Sequence, residues 1–209
     1  MNIKLSFITL LYSILSFSQN FEGEIIYRNI CKSNNEEWKI EYCQMITDSI
    51  ENFQYKNGNY KYSVPNNQTW TIFKKDENKV YRKTKKGKIF WSDANSNNDS
   101  ITKITLNKKA LKVLDYDCDE LIIESIGGSI QKYYFSSKLS INPKFYKNHK
   151  NGNLNSITSI TKSIPLKTIF IFEVQGLILE STAIKINKRK IEDNVFLIPK
   201  NLELQEGKY

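Results

Sequence analysis

A single histidine, His149, stands in Lys147-Asn148-His149-Lys150, so any Ser-His-Asp or Cys-His site would have to use it. Its lysine neighbours predict a solvated side chain near a helix end, with no catalytic role. One His and three scattered Cys also fall short of a zinc site, which needs several such ligands at close spacing. Asp115, Asp117 and Asp119 alternate, with Glu120 following. On a strand that spacing aligns three carboxylates on one face, an arrangement a calcium ion could use. The run lacks the glycine of an EF-hand loop, and a solvated strand face is the expected reading. Glycosidase-type carboxylate pairs need not be close in sequence, and nothing marks one here. There is no phosphate-binding loop and no dinucleotide fingerprint, and no cofactor is expected.

Cys31, Cys43 and Cys118 allow at most one internal bridge and leave one thiol. In a hairpin centred near Asn34-Asn35, Cys31 would oppose Trp38. Pairing Cys31 with Cys43 requires residues 36–46 to be helical. Trp38, Tyr42 and Met45 are spaced for a helix there, and a strand remains the alternative. The Cys31–Cys43 bridge is the favoured pairing, with Cys118 a small buried residue. Aromatic residues are plentiful, and Trp38, Trp70, Trp91, Tyr133, Tyr134, Phe170 and Phe172 fit two roles. They fill the core of a sheet, or some of them line an apolar pocket for a lipid-like ligand.

These side chains must be positioned mainly by strands. Phe21, Gly23, Ile25 and Tyr27 alternate with Glu22, Glu24, Ile26 and Arg28, the period of a sheet with at least one buried face. Residues 53–64 predict a hairpin turning at Asn57-Gly58, whose residues tolerate the positive φ of a two-residue turn. Residues 70–73 with 79–82 predict a second hairpin, 88–91 a further strand, and 93–100 an exposed polar loop. Strands 121–126 and 129–135 flank Gly127-Gly128. Asn142-Pro143 supplies an N-cap and first helical position for a short helix to about Lys150. Residues 154–164 read as loop or weak helix, followed by strands 166–174 and 177–187 around Gln175-Gly176, with 191–199 closing the domain. The expectation is a mainly β fold, a single antiparallel sheet curved around or covered by one or two short helical segments.

Residues 1–18 read as a cleaved signal peptide. Lys4 precedes an apolar run from Leu5 to about Phe17, and Ser16 and Ser18 place small residues at a cleavage site before Gln19. That leaves residues 19–209 as a single antiparallel β-rich domain. The run is shorter than a bilayer span, no later stretch predicts a transmembrane segment, and no Cys follows the cut to carry a lipid. The protein is expected to be exported, periplasmic or secreted.

Hydrophobic residues make up 40% of the 209-residue chain and charged residues 25%, proportions of a globular protein. The net charge of +9 comes from lysines dispersed among apolar residues. A Lys/Asn/Ile-rich composition can follow from an AT-rich genome. A functional reading is attraction to an anionic envelope surface. No nucleic-acid-binding module appears.

Several stretches carry a family resemblance: Phe21-Glu22-Gly23-Glu24-Ile25-Ile26-Tyr27; Leu114-Asp115-Tyr116-Asp117-Cys118; Ile141-Asn142-Pro143-Lys144-Phe145-Tyr146; Gln175-Gly176-Leu177-Ile178-Leu179-Glu180; and Phe196-Leu197-Ile198-Pro199. Together the chain resembles the GLPGLI-type and related uncharacterised secreted proteins of Gram-negative bacteria, although only Gly176-Leu177-Ile178 remains of the full signature. The resemblance implies a half-barrel like that of periplasmic lipoprotein carriers, with helices plugging its concave face, and brings no catalytic residues. The function expected first is a non-enzymatic extracytoplasmic binding protein, with a hydrophobic or lipid-like ligand. An envelope structural or interaction domain comes second, and a hydrolase last.

Overall fold

The structure is a computed structural model that describes residues 20–33, 48–65, 68–96, 100–199 and 203–207. Alternation dominates these residues, and they form one open, curved sheet of twelve strands. In chain order the strands are β1 (Gly23–Ser33), β2 (Ile50–Lys56), β3 (Asn59–Ser63), β4 (Trp70–Lys74), β5 (Lys79–Lys83) and β6 (Ile89–Asp93). They continue as β7 (Ile101–Val113), β8 (Tyr116–Ser125), β9 (Ser129–Ser140), β10 (Ser163–Phe172), β11 (Leu177–Lys188) and β12 (Leu204–Glu206). Their order across the sheet is β12-β6-β5-β4-β3-β2-β1-β11-β10-β9-β8-β7. Two antiparallel meanders, β1–β6 and β7–β11, therefore meet where β11 pairs with β1. β12 adds to β6 in parallel.

Turn chemistry sets the register. Asn57 (φ 47°) and Gly58 (φ 88°) make the β2–β3 turn, pairing Tyr55 with Tyr60 and Phe53 with Tyr62. Gly128 (φ 75°) closes β8 onto β9, and Gly176 (φ 63°) closes β10 onto β11. These hairpins match the expected ones.

The connection from β9 to β10 is laid over one face of the sheet. Asn142 caps a 3₁₀ turn, Pro143–Tyr146, by accepting from the Lys144 amide at 3.0 Å. A second 3₁₀ turn, Asn151–Asn153, leads into α1 (Leu154–Thr161). This last segment, expected as loop or weak helix, is helical although its Asn, Ser, Thr and Ile are poor helix formers. Packing supplies what propensity lacks: Ile157 is buried against Leu121, Ile123, Tyr133 and Phe135. Ala94, in the stretch expected to be an exposed loop, is fully buried and anchors the connection. Its carbonyl accepts from the amides of Lys150 (2.7 Å) and Asn151 (2.9 Å).

The two sheet faces bury different sets of residues. Ile25, Tyr55, Phe73, Leu139, Ile164 and Leu166 form the core of the face beneath the connection. On the opposite face of β4–β6, Trp70, Ile72, Tyr81 and Ile89 are covered by Ile191 and Phe196. Ile191 is fixed there from both sides, its amide donating to Glu22 (2.7 Å) and its carbonyl accepting from Lys56 (2.8 Å). Burying each such aliphatic or aromatic side chain stabilises the fold by roughly 1.5–3 kcal/mol. Among the described residues no helix is long and apolar enough to cross a membrane.

Candidate functional site

Between the sheet and the β9–β10 connection lies a cavity of about 510 Å³. That lies within the usual range for small-molecule sites, roughly 300–1,000 Å³. Alternation on β2 and β3 turns Phe53, Tyr55, Tyr60 and Tyr62 into it, and β1 adds Tyr27. Their rings interlock: Phe53 stands 4.6 Å from Tyr62 and 6.3 Å from Tyr27, centroid to centroid. From the connection, Tyr146 and His149 close one end, and Leu154 and Ile157 form the roof.

His149 corrects the sequence expectation. It is 2% exposed, not solvated. Lys147, Asn148 and Lys150 do face water, but the amide of His149 donates to the Tyr146 carbonyl (2.9 Å). That fold-back sends the ring inward, where it lies 4.5 Å from Phe73 and hydrogen-bonds the Tyr60 phenol at 3.0 Å. Burial, which penalises the charged form, lowers its pKa to about 4, so it is neutral at physiological pH. Burial also keeps the phenols protonated, pushing Tyr55 up to about 12 and Tyr27 and Tyr60 higher still. The Tyr27 phenol donates to the Pro165 carbonyl at 2.7 Å.

The other end of the cavity is acidic. Glu51, at the start of β2, shares the inward face with Phe53 and Tyr55 and is half-buried. Its pKa is raised to about 7, first by burial and then by the neighbouring Asp48 carboxylate, while Asn29 opposes the shift. Asn29 donates to the Asp48 backbone carbonyl at 2.9 Å.

Of the aromatic residues singled out from sequence, Tyr133 and Phe170 line this cavity, edge to face at 5.7 Å. Phe172 is half-buried beyond the lining, near the β10–β11 turn. Trp70 lies in the outer cluster, with Trp91 packed beside it under the Lys79 ammonium, 3.8 Å from the ring centroid. Tyr134 is buried and donates to Glu120 at 2.6 Å. Trp38 lies outside the described residues, as do Cys43 and the rest of 36–46. Cys31 is disulfide-bonded, and Cys118 is a buried free thiol. The alternating aspartates are dispersed in their contacts: Asp119 accepts from Lys108 Nζ (2.8 Å) and the Lys109 amide (3.0 Å), and Asp117 pairs across from Lys112. Among the described residues no three His, Cys, Asp or Glu side chains are grouped to hold a metal ion.

Sequence reasoning missed the densest part of the lining: Tyr27, Glu51, Phe53, Tyr60, Tyr62 and Tyr146. The signal was available in the Asn57-Gly58 hairpin. Once its turn is placed, Phe53 and Tyr55 must share a face with Tyr60 and Tyr62.

No known family profile matches the chain, and neither does any curated protein sequence. Two of the solved structures that are similar to it illustrate the range. One is an uncharacterized conserved protein from Thermus thermophilus, at 9% identity and TM-score 0.43, covering 96% of this chain and 99% of that one. The other is a LolA superfamily protein from Nitrosomonas europaea, at 8% identity and TM-score 0.39, covering 86% and 91% respectively. Function therefore has to be argued from the cavity.

Proposed function

We propose that this protein is an extracytoplasmic, non-enzymatic binding protein that holds one hydrophobic or lipid-like molecule beneath its β9–β10 connection. The observation that carries the reading is the cavity of about 510 Å³ walled by tyrosine and phenylalanine rings. Aromatic rings present large apolar area, and their few polar tips can orient an amphiphile without reacting with it. The neutral, hydrogen-bonded His149 has no nucleophilic Ser or Cys partner among its described contacts, which supports binding over catalysis.

Export is supported by the Leu5–Phe17 apolar run behind Lys4, and by a disulfide at Cys31, which suits an oxidising compartment. Membership of the GLPGLI-type secreted proteins belongs to the same reading and rests on the short motifs quoted above.

Native mass spectrometry of protein purified from its own host's envelope tests the proposal. The expected spectrum carries an adduct of amphiphile mass that disappears on denaturation. Ligand-free protein that also fails to take up dodecanol, a neutral long-chain probe, would sink it.

A further inference from the structure

The two ends of the cavity differ in chemistry. Around His149 the wall is uncharged except for Arg82, which lines the cavity from β5 near Tyr60. At the β2 start the described residues gather acceptors, the carboxyl groups of Glu51 and Asp48 and Oδ1 of Asn29, while the Asn29 amide nitrogen is already engaged with the Asp48 carbonyl and Glu51. The Asn29 oxygen is buried with no hydrogen-bond partner. Its orientation is set by chemistry, because turning the amide over would bring oxygen against the Asp48 carbonyl that the Asn29 nitrogen now contacts. A buried acceptor left unmade costs about 1–3 kcal/mol, so a donor arriving at this place is favoured.

The surrounding charges do not supply one. Lys85 reaches Asp48 only at 4.0 Å and from a mostly exposed position. Glu180, also in the lining, is held by Lys167 at 2.7 Å. Arg82 also lines the cavity, but from β5, three strands from Glu51 and beside Tyr60 at the other end. In a chain with 31 lysines and arginines, Glu51 has no ion-pair partner among the described residues. The rings of Tyr27, Phe53 and Tyr62 line the cavity on the same side, and aromatic rings attract a cation most strongly where water is excluded.

From this we infer that the cavity selects a cationic amphiphile. Its protonated primary amine sits between Glu51, Asp48 and Asn29 Oδ1, and its hydrocarbon lies along the tyrosine-rich wall. The inference rests on the binding-protein reading and adds the class of ligand. It runs against the overall charge of +9, which would draw anions.

Dodecylammonium, dodecanol and dodecyl sulfate, each below its micelle concentration, share a chain and differ in head group. Titrated against the full-length protein near neutral pH, dodecylammonium is expected to bind at least about tenfold tighter than dodecanol, and dodecyl sulfate weakest. Glu51→Gln is expected to bring the ammonium-to-dodecanol ratio to within about threefold of unity, and Asp48→Asn to lower it partway. A ratio near unity in the native protein, or tighter binding of the sulfate, overturns the inference while leaving the binding-protein reading intact. A native preference for ammonium that survives Glu51→Gln in folded protein also overturns it. Failure of all three probes to bind removes the underlying reading instead. Should Glu51→Gln not fold, the comparison of the three probes on native protein still decides.

Discussion

The phenol of Tyr60 and Nε2 of His149 lie 3.0 Å apart, joining the β2–β3 hairpin to the connection that covers it. Both groups are buried deeply enough that neither carries charge at neutral pH. The contact therefore closes one end of the cavity as a neutral pair, and its strength depends on His149 staying unprotonated.

That dependence predicts acid sensitivity with a definite sign. The folded pKa of His149, about 4, lies below its ordinary value of 6.5, so between the two the unfolded chain binds the proton more readily. Stability from this group is complete above the ordinary value and drains away as pH falls towards about 4, by up to roughly 2–3 kcal/mol. His149→Phe removes the titration together with a hydrogen bond worth about 1 kcal/mol. The variant is expected to be less stable than the native protein near neutral pH and to overtake it below about pH 5. Urea unfolding curves at the two pH values check this; parallel pH profiles would refute it.

Glu51 acts in the opposite direction. Its folded pKa of about 7 stands above the ordinary 4.5, because burial and Asp48 disfavour the carboxylate. The native protein is thus favoured fully below pH 4.5 and loses that contribution as pH rises through about 7. Glu51→Gln is expected to leave stability nearly unchanged in acid and to raise it by about 1–3 kcal/mol in mild alkali. Denaturant midpoints on both sides of neutrality measure the effect. Tyr27, Tyr62, Asn29 and Asp48 face this carboxylate, and none of them is a cation that could reverse the sign.

How far these relationships could be read in the sequence depended on the turns. Asn57-Gly58, Gly127-Gly128 and Gln175-Gly176 mark hairpins because positive φ is cheap there, and each pins the register of its two strands. Where a strand is apolar on both faces, parity fails. In Trp70-Thr71-Ile72-Phe73, Trp70 and Ile72 pack outward while Thr71 and Phe73 face the cavity side, and only the cover by Ile191 and Phe196 reveals which is which. β7 went unread for a different reason. It is an edge strand, largely exposed on both sides, and a bulge at Asn107–Leu111, with Lys109 at φ 49°, breaks its alternation. The inward turn of His149 could not be seen from its solvated neighbours, because a 3₁₀ fold-back has no period of its own.

Gly23 should tolerate no side chain. It opens β1 at φ 155°, and a Cβ there would overlap the backbone carbonyl oxygen of Asn187 on β11. The strand pair that would have to part is the one joining the two meanders. Gly23→Ala is expected to destabilise the protein by about 2–4 kcal/mol. Calorimetry reads the change directly, and a loss below about 0.5 kcal/mol would mean that this junction yields easily.

The cysteines give a prediction that tests the pairing and the burial together. Cys118 is wholly buried, and desolvation foremost raises its thiol pKa, so it should resist alkylation in the folded state. With Cys31 disulfide-bonded, Cys43 is its proposed partner. Unreduced native protein is expected to take up no iodoacetamide. Unreduced protein in denaturant should take up one equivalent, at Cys118, and a peptide map should recover Cys31 joined to Cys43. Three modified cysteines without reductant would show that no bridge forms. One rapid modification before unfolding would show instead that the sheet around Cys118 is open to water.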